Sequence, residues 1–128
     1  MIDQLLFQDF LSSLDFGFPI FLMRMPDSPD NAVSFVFTEG LESKGSVNDL
    51  LLTVYIRATH PEQAIEAATK LNNELNYKTN FYIGNTQIIL VKALTVVPTP
   101  LGLDDNDRHV FQLQFKVLSS YSAKTEMA

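Results

Sequence analysis

Between Leu51 and Ala58 the chain alternates: Leu52, Val54, Ile56 and Ala58 fall on one side, Thr53, Tyr55 and Arg57 on the other. Successive side chains of an extended chain point to opposite faces, so this stretch predicts a strand with one buried face. The period then changes. From Pro61 to Asn76, the residues Ile65, Ala68, Leu71, Asn72 and Leu75 share one helical face, while Glu62, Gln63, Glu66, Lys70, Asn73 and Glu74 look outward. Thr59 and Glu62 have the spacing of a capping box, and Pro61 falls in the first turn, where its missing N–H costs nothing. Asn76 is the expected stop, with Lys78 placed for the helix dipole. A hairpin follows over Phe81–Val97, turning at Gly84-Asn85. Its second arm, Thr86–Val97, is apolar on both faces except at Lys92, as a central strand would be, and its far half is expected to pair with the last strand.

The flanks read in the same way. Ile2–Leu14 predicts an amphipathic helix with Ile2, Leu5, Leu6, Phe7, Phe10, Leu11 and Leu14 on its apolar stripe, ended by Gly17 and Pro19. It packs on the core or, in a second reading, partly covers a neighbouring subunit. Phe18–Met25 is a short strand, Pro26–Asn31 a turn cluster, and Ala32–Thr38 a strand with Val33, Phe35 and Phe37 on one side. Glu39–Asp49 reads as a long hairpin loop. Pro98-Thr-Pro100 stops the long arm, and Leu101–Arg108 is a loop rich in Gly and Asp. Val110–Leu118 alternates cleanly, with Phe111, Leu113, Phe115 and Val117 inward. Ser119–Ala128 is a polar, flexible tail. Together these elements predict one α+β domain over residues 1–128: a single mixed, largely antiparallel β-sheet with two helices packed on one face.

Composition narrows the function. Hydrophobic residues are 46% and charged residues 19% of 128, which is enough apolar side chain for one core. Ten Phe residues supply core volume, with rings to spare for a surface that another chain covers. Without cysteine there is no disulfide and no thiolate metal site. The start of the chain has no basic region of a secretory signal, and the run Ile88–Val97, broken by Lys92 and Thr95, is too short to cross a bilayer; no membrane partner is expected. A net charge of −6 with nine scattered basic residues disfavours wrapping nucleic acid.

Candidate chemistry is sparse. His60 precedes the helix proline and His109 starts the last strand beside Arg108, and neither has a nucleophile or partner motif around it. Asp104-Asp-Asn-Asp107 begins like a calcium loop but lacks the Gly and the closing Glu, so it reads as an exposed acidic turn. Gly40, Gly45 and Gly84 are isolated and form no phosphate loop. Arg24 and Arg57 read as ion-pair or interface residues. No catalytic residue, cofactor site or metal site is expected, which shifts weight to proteins that work by their surfaces.

The run Leu51–Leu71, LLTVYIRATHPEQAIEAATKL, resembles the middle of small tail-completion proteins of tailed bacteriophages, also called minor capsid proteins. The order around it resembles them too: an N-terminal helix, a strand pair with a loose loop, a hairpin into a long strand, and a closing strand like Val110–Leu118. The resemblance is to tail terminators of the lambda type and covers about Ile2 to Leu118. It implies a mixed sheet with two helices on one side, a hexameric ring of copies on the end of the tail tube, an end to tube polymerisation, and a surface that joins tail to head. It also implies the partners: the chain itself, the tail tube protein and a head-completion or neck protein. DNA would pass through the ring without sequence-specific binding. The place would be the virion tail, after assembly in the host cytoplasm. The loops Glu39–Asp49 and Pro98–Arg108 are the expected assembly elements, and Glu39, Glu42, Lys44, Arg57, Asp104, Asp105 and Arg108 the expected interface residues. A head-completion protein of the connector and a small non-viral binding domain are the alternatives.

Overall fold

The computed structural model of the protein describes residues 2–40 and 47–120. In chain order it has α1 (Gln4–Ser13), β1 (Ile20–Leu22), β2 (Ala32–Glu39), β3 (Val47–Ala58), α2 (Pro61–Leu75), β4 (Thr79–Ile83), β5 (Thr86–Ala93), β6 (Thr99–Leu103) and β7 (His109–Ser120). One curled sheet holds all these strands in the order β1-β2-β3-β7-β5-β4, with β6 also on β7. β1 runs parallel to β2, and the remaining pairings are antiparallel. The expected α+β class and mixed sheet are therefore present.

β3 and β7 form the spine. They pair without a shift from Val47↔Ser120 to Ala58↔His109. That register sets Leu52, Val54 and Ile56 beside Phe115, Leu113 and Phe111, and β2 continues the same face with Val33, Phe35 and Phe37. Both helices cover this face: α2 lies on β3, β7 and β5, and α1 lies by β1 and β4. The Phe7 ring of α1 sits 5.5 Å from Phe35 and 4.9 Å from Phe37, centroid to centroid.

Several details differ from the sequence reading. Asp3 caps α1, its Oδ1 accepting from the N–H groups of Leu5 at 3.0 Å and Leu6 at 3.1 Å. The buried stripe is narrower than expected: Ile2, Phe7 and Leu11 are buried, while Leu5 and Leu6 are exposed. α1 stops at Ser13, before Gly17 and Pro19, and Asp15 and Gly17 at φ 53° and 90° turn the chain back. β1 is three residues long, not the expected Phe18–Met25.

On α2 the capping box does not form. His60 is the N-cap, one residue later than expected, so Thr59 and Glu62 have the wrong offset. No side chain caps the helix; Asn31 braces its approach, accepting from the Thr59 N–H at 3.1 Å and donating to Gln63 Oε1 at 3.0 Å. The buried face is Ala64, Ala67, Ala68, Leu71 and Leu75, and Ile65 points out to solvent. The sheet beneath already carries large side chains such as Ile56, Leu113 and Phe115. Small residues on the helix let it sit close on them, which a stripe centred on Ile65 would prevent. Lys78 lies over the rings of Phe10 and Phe81 rather than at the end of the helix.

Two loops are shorter than expected. The Glu39–Asp49 loop gives up Glu39 to β2 and Val47–Asp49 to β3, and residues 41–46 lie outside the described residues. β5 ends at Ala93, four residues short of the expected arm, and the Pro98–Arg108 stretch contains β6. Pro100 and Gly102 looked like breakers. They are tolerated because β6 is an edge strand with a register shift between Pro100 and Gly102. β5 and β6 share β7: β5 pairs with Phe115–Ser119 and β6 with His109–Gln112. β7 runs to Ser120, two residues past the expected end, and the tail from 121 to 128 lies outside the described residues.

Candidate assembly interface

The sheet face turned away from the helices is pinned at one end by two buried arginines. Arg57, on β3, donates from Nε to the Asp30 carbonyl at 2.9 Å and from Nη2 to the Pro29 carbonyl. Arg108, just before β7, donates from Nε to Asp104 Oδ2 at 2.9 Å, and from Nη1 to the Asp27 carbonyl at 2.6 Å and Asp30 Oδ1 at 3.2 Å. Its Nη2 lies 3.4 Å from Asp27 Oδ1. A guanidinium has a rigid fork of donors, so two of them can tie one turn at many points. The Pro26–Asn31 turn, with its cis Ser28–Pro29 bond, is thereby fastened to the β6–β7 turn.

The charges respond to this crowding. Burial pushes the Arg57 guanidinium below its usual range and Arg108 adds to it, while Asp104, Asp27 and Asp30 pull the other way. For Arg108 burial also acts downward, but Asp104 and Asp30 outweigh it and raise it. Burial acts upward on the Asp104 carboxyl, yet the N–H groups of Arg108 and Asn106 and the Arg108 side chain hold it below the ordinary carboxylate range. Asp104 Oδ1 accepts both of those N–H groups, at 2.9 Å from Arg108 and 3.0 Å from Asn106. The turn 104–107 is thus an internally bonded Asx-type turn with Asp105 and Asp107 left pointing outward.

Farther along the same face, Lys116 Nζ meets Asp49 Oδ2 at 3.0 Å, with Asp49 buried. Gly40 passes close by, its N–H donating to the Asp49 carbonyl at 2.8 Å. A hollow of about 490 Å³ lies there, lined by Glu39, Gly40, Asp49, Leu50, Leu51, Leu94 and Lys116.

Beside these pinned turns the surface is apolar. Leu94, Val96 and Val97, in the connection from β5 into β6, and Leu101 and Leu103, on β6, are exposed. Of the residues expected at an interface, Glu39 and Asp105 are exposed, and Asp104 is half-buried. Arg57 and Arg108 are buried and committed to partners within the chain. Glu42 and Lys44 lie outside the described residues. Arg57, Asp104 and Arg108 come together in one network; Glu39 stands at the other end of β2. The apolar strip of 94–103 was missed because it sits in the stretch read as strand end and loop. Its signal was the run Leu94, Val96, Val97, Leu101, Leu103.

Among the described residues no group of three acidic, His or Cys side chains could hold a metal ion, and no helix is long and apolar enough to cross a membrane. A hollow of about 700 Å³ is walled by α2 alone, from Glu62 to Glu74, and so presents one helix face rather than a cleft. The fold and these surfaces define a class: a small α+β protein whose distinctive features lie on sheet edges and turns. The model of the family described as bacteriophage tail terminator protein matches residues 2–120, and the chain belongs to that family. It is a structural protein of the phage tail, and so of the virion. Among solved structures, the fold is similar to a chain from the virion of a native gene transfer agent particle. The TM-score is 0.62 at 14% identity, over 86% of this chain and 84% of that one. A second solved structure aligns at TM-score 0.56 and 10% identity, over 91% of this chain and 96% of its own. At these identities the likeness is one of fold. No curated protein matches the chain.

Proposed function

We propose that the chain caps the phage tail tube as a homo-oligomeric, hexameric ring, ends tube polymerisation, and presents the surface that joins tail to head. The match of the tail terminator family over residues 2–120 carries this reading. The physical features agree with it. A ring of identical chains needs a head-to-tail contact between two different surfaces, and this sheet has exposed edges on opposite sides. The partners are then the chain itself, the tail tube protein and a head-completion or neck protein of the connector, with assembly in the host cytoplasm and no bond-making step.

A net charge of −6 suits a ring through which DNA slides, because clustered cations that would grip phosphate are lacking. Glu39 and Asp105, both exposed, would face the rims or the channel of such a ring; Glu42 and Lys44 belong to the same proposed interface and lie outside the described residues. Arg57, Asp104 and Arg108 act one step back, by holding the turns that carry this surface. The whole chain works as one domain.

The test is tube growth from purified tail tube protein with and without this chain. Tubes are expected to stop elongating when it is added, with a ring of density at one end by electron microscopy. Tubes that grow to the same lengths with bare ends would refute the reading.

A further inference from the structure

We propose that the apolar strip from Leu94 to Leu103 docks against the β1–β2 edge of a second copy of this chain, head to tail, an inference that rests on the ring reading above. Val96 is 94% and Val97 70% exposed, and Leu101 and Leu103 are exposed to half or more. Isolated exposed apolar residues are ordinary, but a contiguous group on one edge is the mark of a surface that another molecule covers. Asp105 and Asp107 stand exposed at its end, with no ion-pair partner among the described residues.

The occupant follows from charge and topology. β6 lies outside β7, and β1 lies at the other side of the sheet, past β3 and β2. β1 covers β2 only from Val33 to Phe35, so the outer edge of β2 from Val36 to Glu39 has no strand beside it among the described residues. Met23 and Arg24 follow β1 directly and both are exposed. Elsewhere among the described residues, Lys78 lies over aromatic rings, Lys70 donates to the Asp15 carbonyl, and Lys92 sits on β5 near the strip itself. Arg24 is thus the exposed cation on the far edge, opposite in sign to Asp105 and Asp107, and Met23 beside it gives the strip an apolar mate. Pro100 has no N–H and the β6 ladder is shifted there, so the contact is made by side chains rather than by extending the sheet. Because the two surfaces sit on opposite edges, one chain cannot satisfy both. Each added copy leaves one of each free until the ring closes.

Two variants test this, followed by sedimentation mass over a range of concentration. One carries Leu101→Lys with Leu103→Lys, and the other Met23→Gln with Arg24→Gln. All four side chains are exposed, so unfolding temperatures are expected to stay near that of the parent; Val96→Glu, outside any strand, is the reserve for the first. Each variant alone is expected to need about tenfold or more higher concentration to assemble. Mixed, they are expected to form a one-to-one dimer that grows no further, since each retains one good surface. If the parent forms rings and either variant does so equally well, or the mixture gives no dimer, the proposed contact is wrong while the ring stands. If the strip variant forms rings but no longer caps tubes, the strip belongs to the tube protein and the proposal fails. If the parent remains monomeric both alone and on tubes, the ring reading fails and takes this contact with it.

Discussion

Arg108 is a charge withdrawn from water, with its side chain 4% exposed. That is tolerable because its N–H groups meet the Asp104 and Asp30 carboxylates and the Asp27 carbonyl. Asp27 and Asp30 are themselves well exposed, so solvent weakens their share and Asp104 is the main partner. Asp104→Asn is therefore expected to lower the unfolding temperature more than Asp105→Asn, as calorimetry would show. The folded pKa of Asp104 lies below its usual value, so its stabilisation is present above about pH 4 and is lost as pH falls through the folded value. Melting temperatures taken downward from neutral pH should hold and then fall in that acid range, with a shallower fall for Asp104→Asn. Phe7 is a different case, wholly apolar and fully buried among Phe10, Phe35 and Phe37. Phe7→Ala is expected to cost about 3–5 kcal/mol in denaturant unfolding, since the rings around it cannot close the gap.

Between elements, the joints matter more than the propensities. Asn31 ties the end of β3 to the start of α2 from the far side of the Pro26–Asn31 turn. Asn31→Ala is expected to cost about 0.5–1.5 kcal/mol, the net worth of an intramolecular hydrogen bond. Two glycines should separate two mechanisms. Gly84 holds φ +61° in the β4–β5 turn, and an added Cβ would meet only the Cδ1 tip of Leu6. Gly84→Ala should then cost about 1–2 kcal/mol, the penalty of a left-handed residue. At Gly40 a Cβ would fall 2.5 Å from Asp49 Cγ and 2.9 Å from its backbone carbon. Asp49 is buried and held by Lys116, so it cannot step aside, and Gly40→Ala should be the worse of the two by equilibrium unfolding. The strands with clean alternation, β3 and β7, were legible because one face is buried and the other is polar. β6 was not, because an edge strand with Pro100 and Gly102 has the composition of a loop and is ordered only by β7 beside it.

For the whole molecule, the long β3–β7 pairing and the shared helix-covered face make one cooperative unit. Far-ultraviolet dichroism and tyrosine fluorescence are expected to report one coincident unfolding transition. Two separated transitions would show that the helices and the sheet edge melt independently. A single unit would fix the edges relative to each other, so that the contact proposed between copies would set a definite angle, as the proposed ring requires.

The amino-acid pattern alone determined the class of fold, the two helices, the spine strands, the Gly84-Asn85 turn and the family resemblance that the match over residues 2–120 upholds. Those features rest on periodicity and on turn chemistry, which act between residues close in the chain. What tertiary structure decided is of longer range. It chose Ala64 over Ile65 for the inner face of α2, placed Asn31 at a helix start in another part of the chain, and buried Arg57 and Arg108 as fasteners. It also made a strand of Thr99–Leu103 and left its leucines facing outward. None of these is fixed by spacing, because each depends on which distant side chains fill the space and which hydrogen-bond partners come within reach once the sheet has formed.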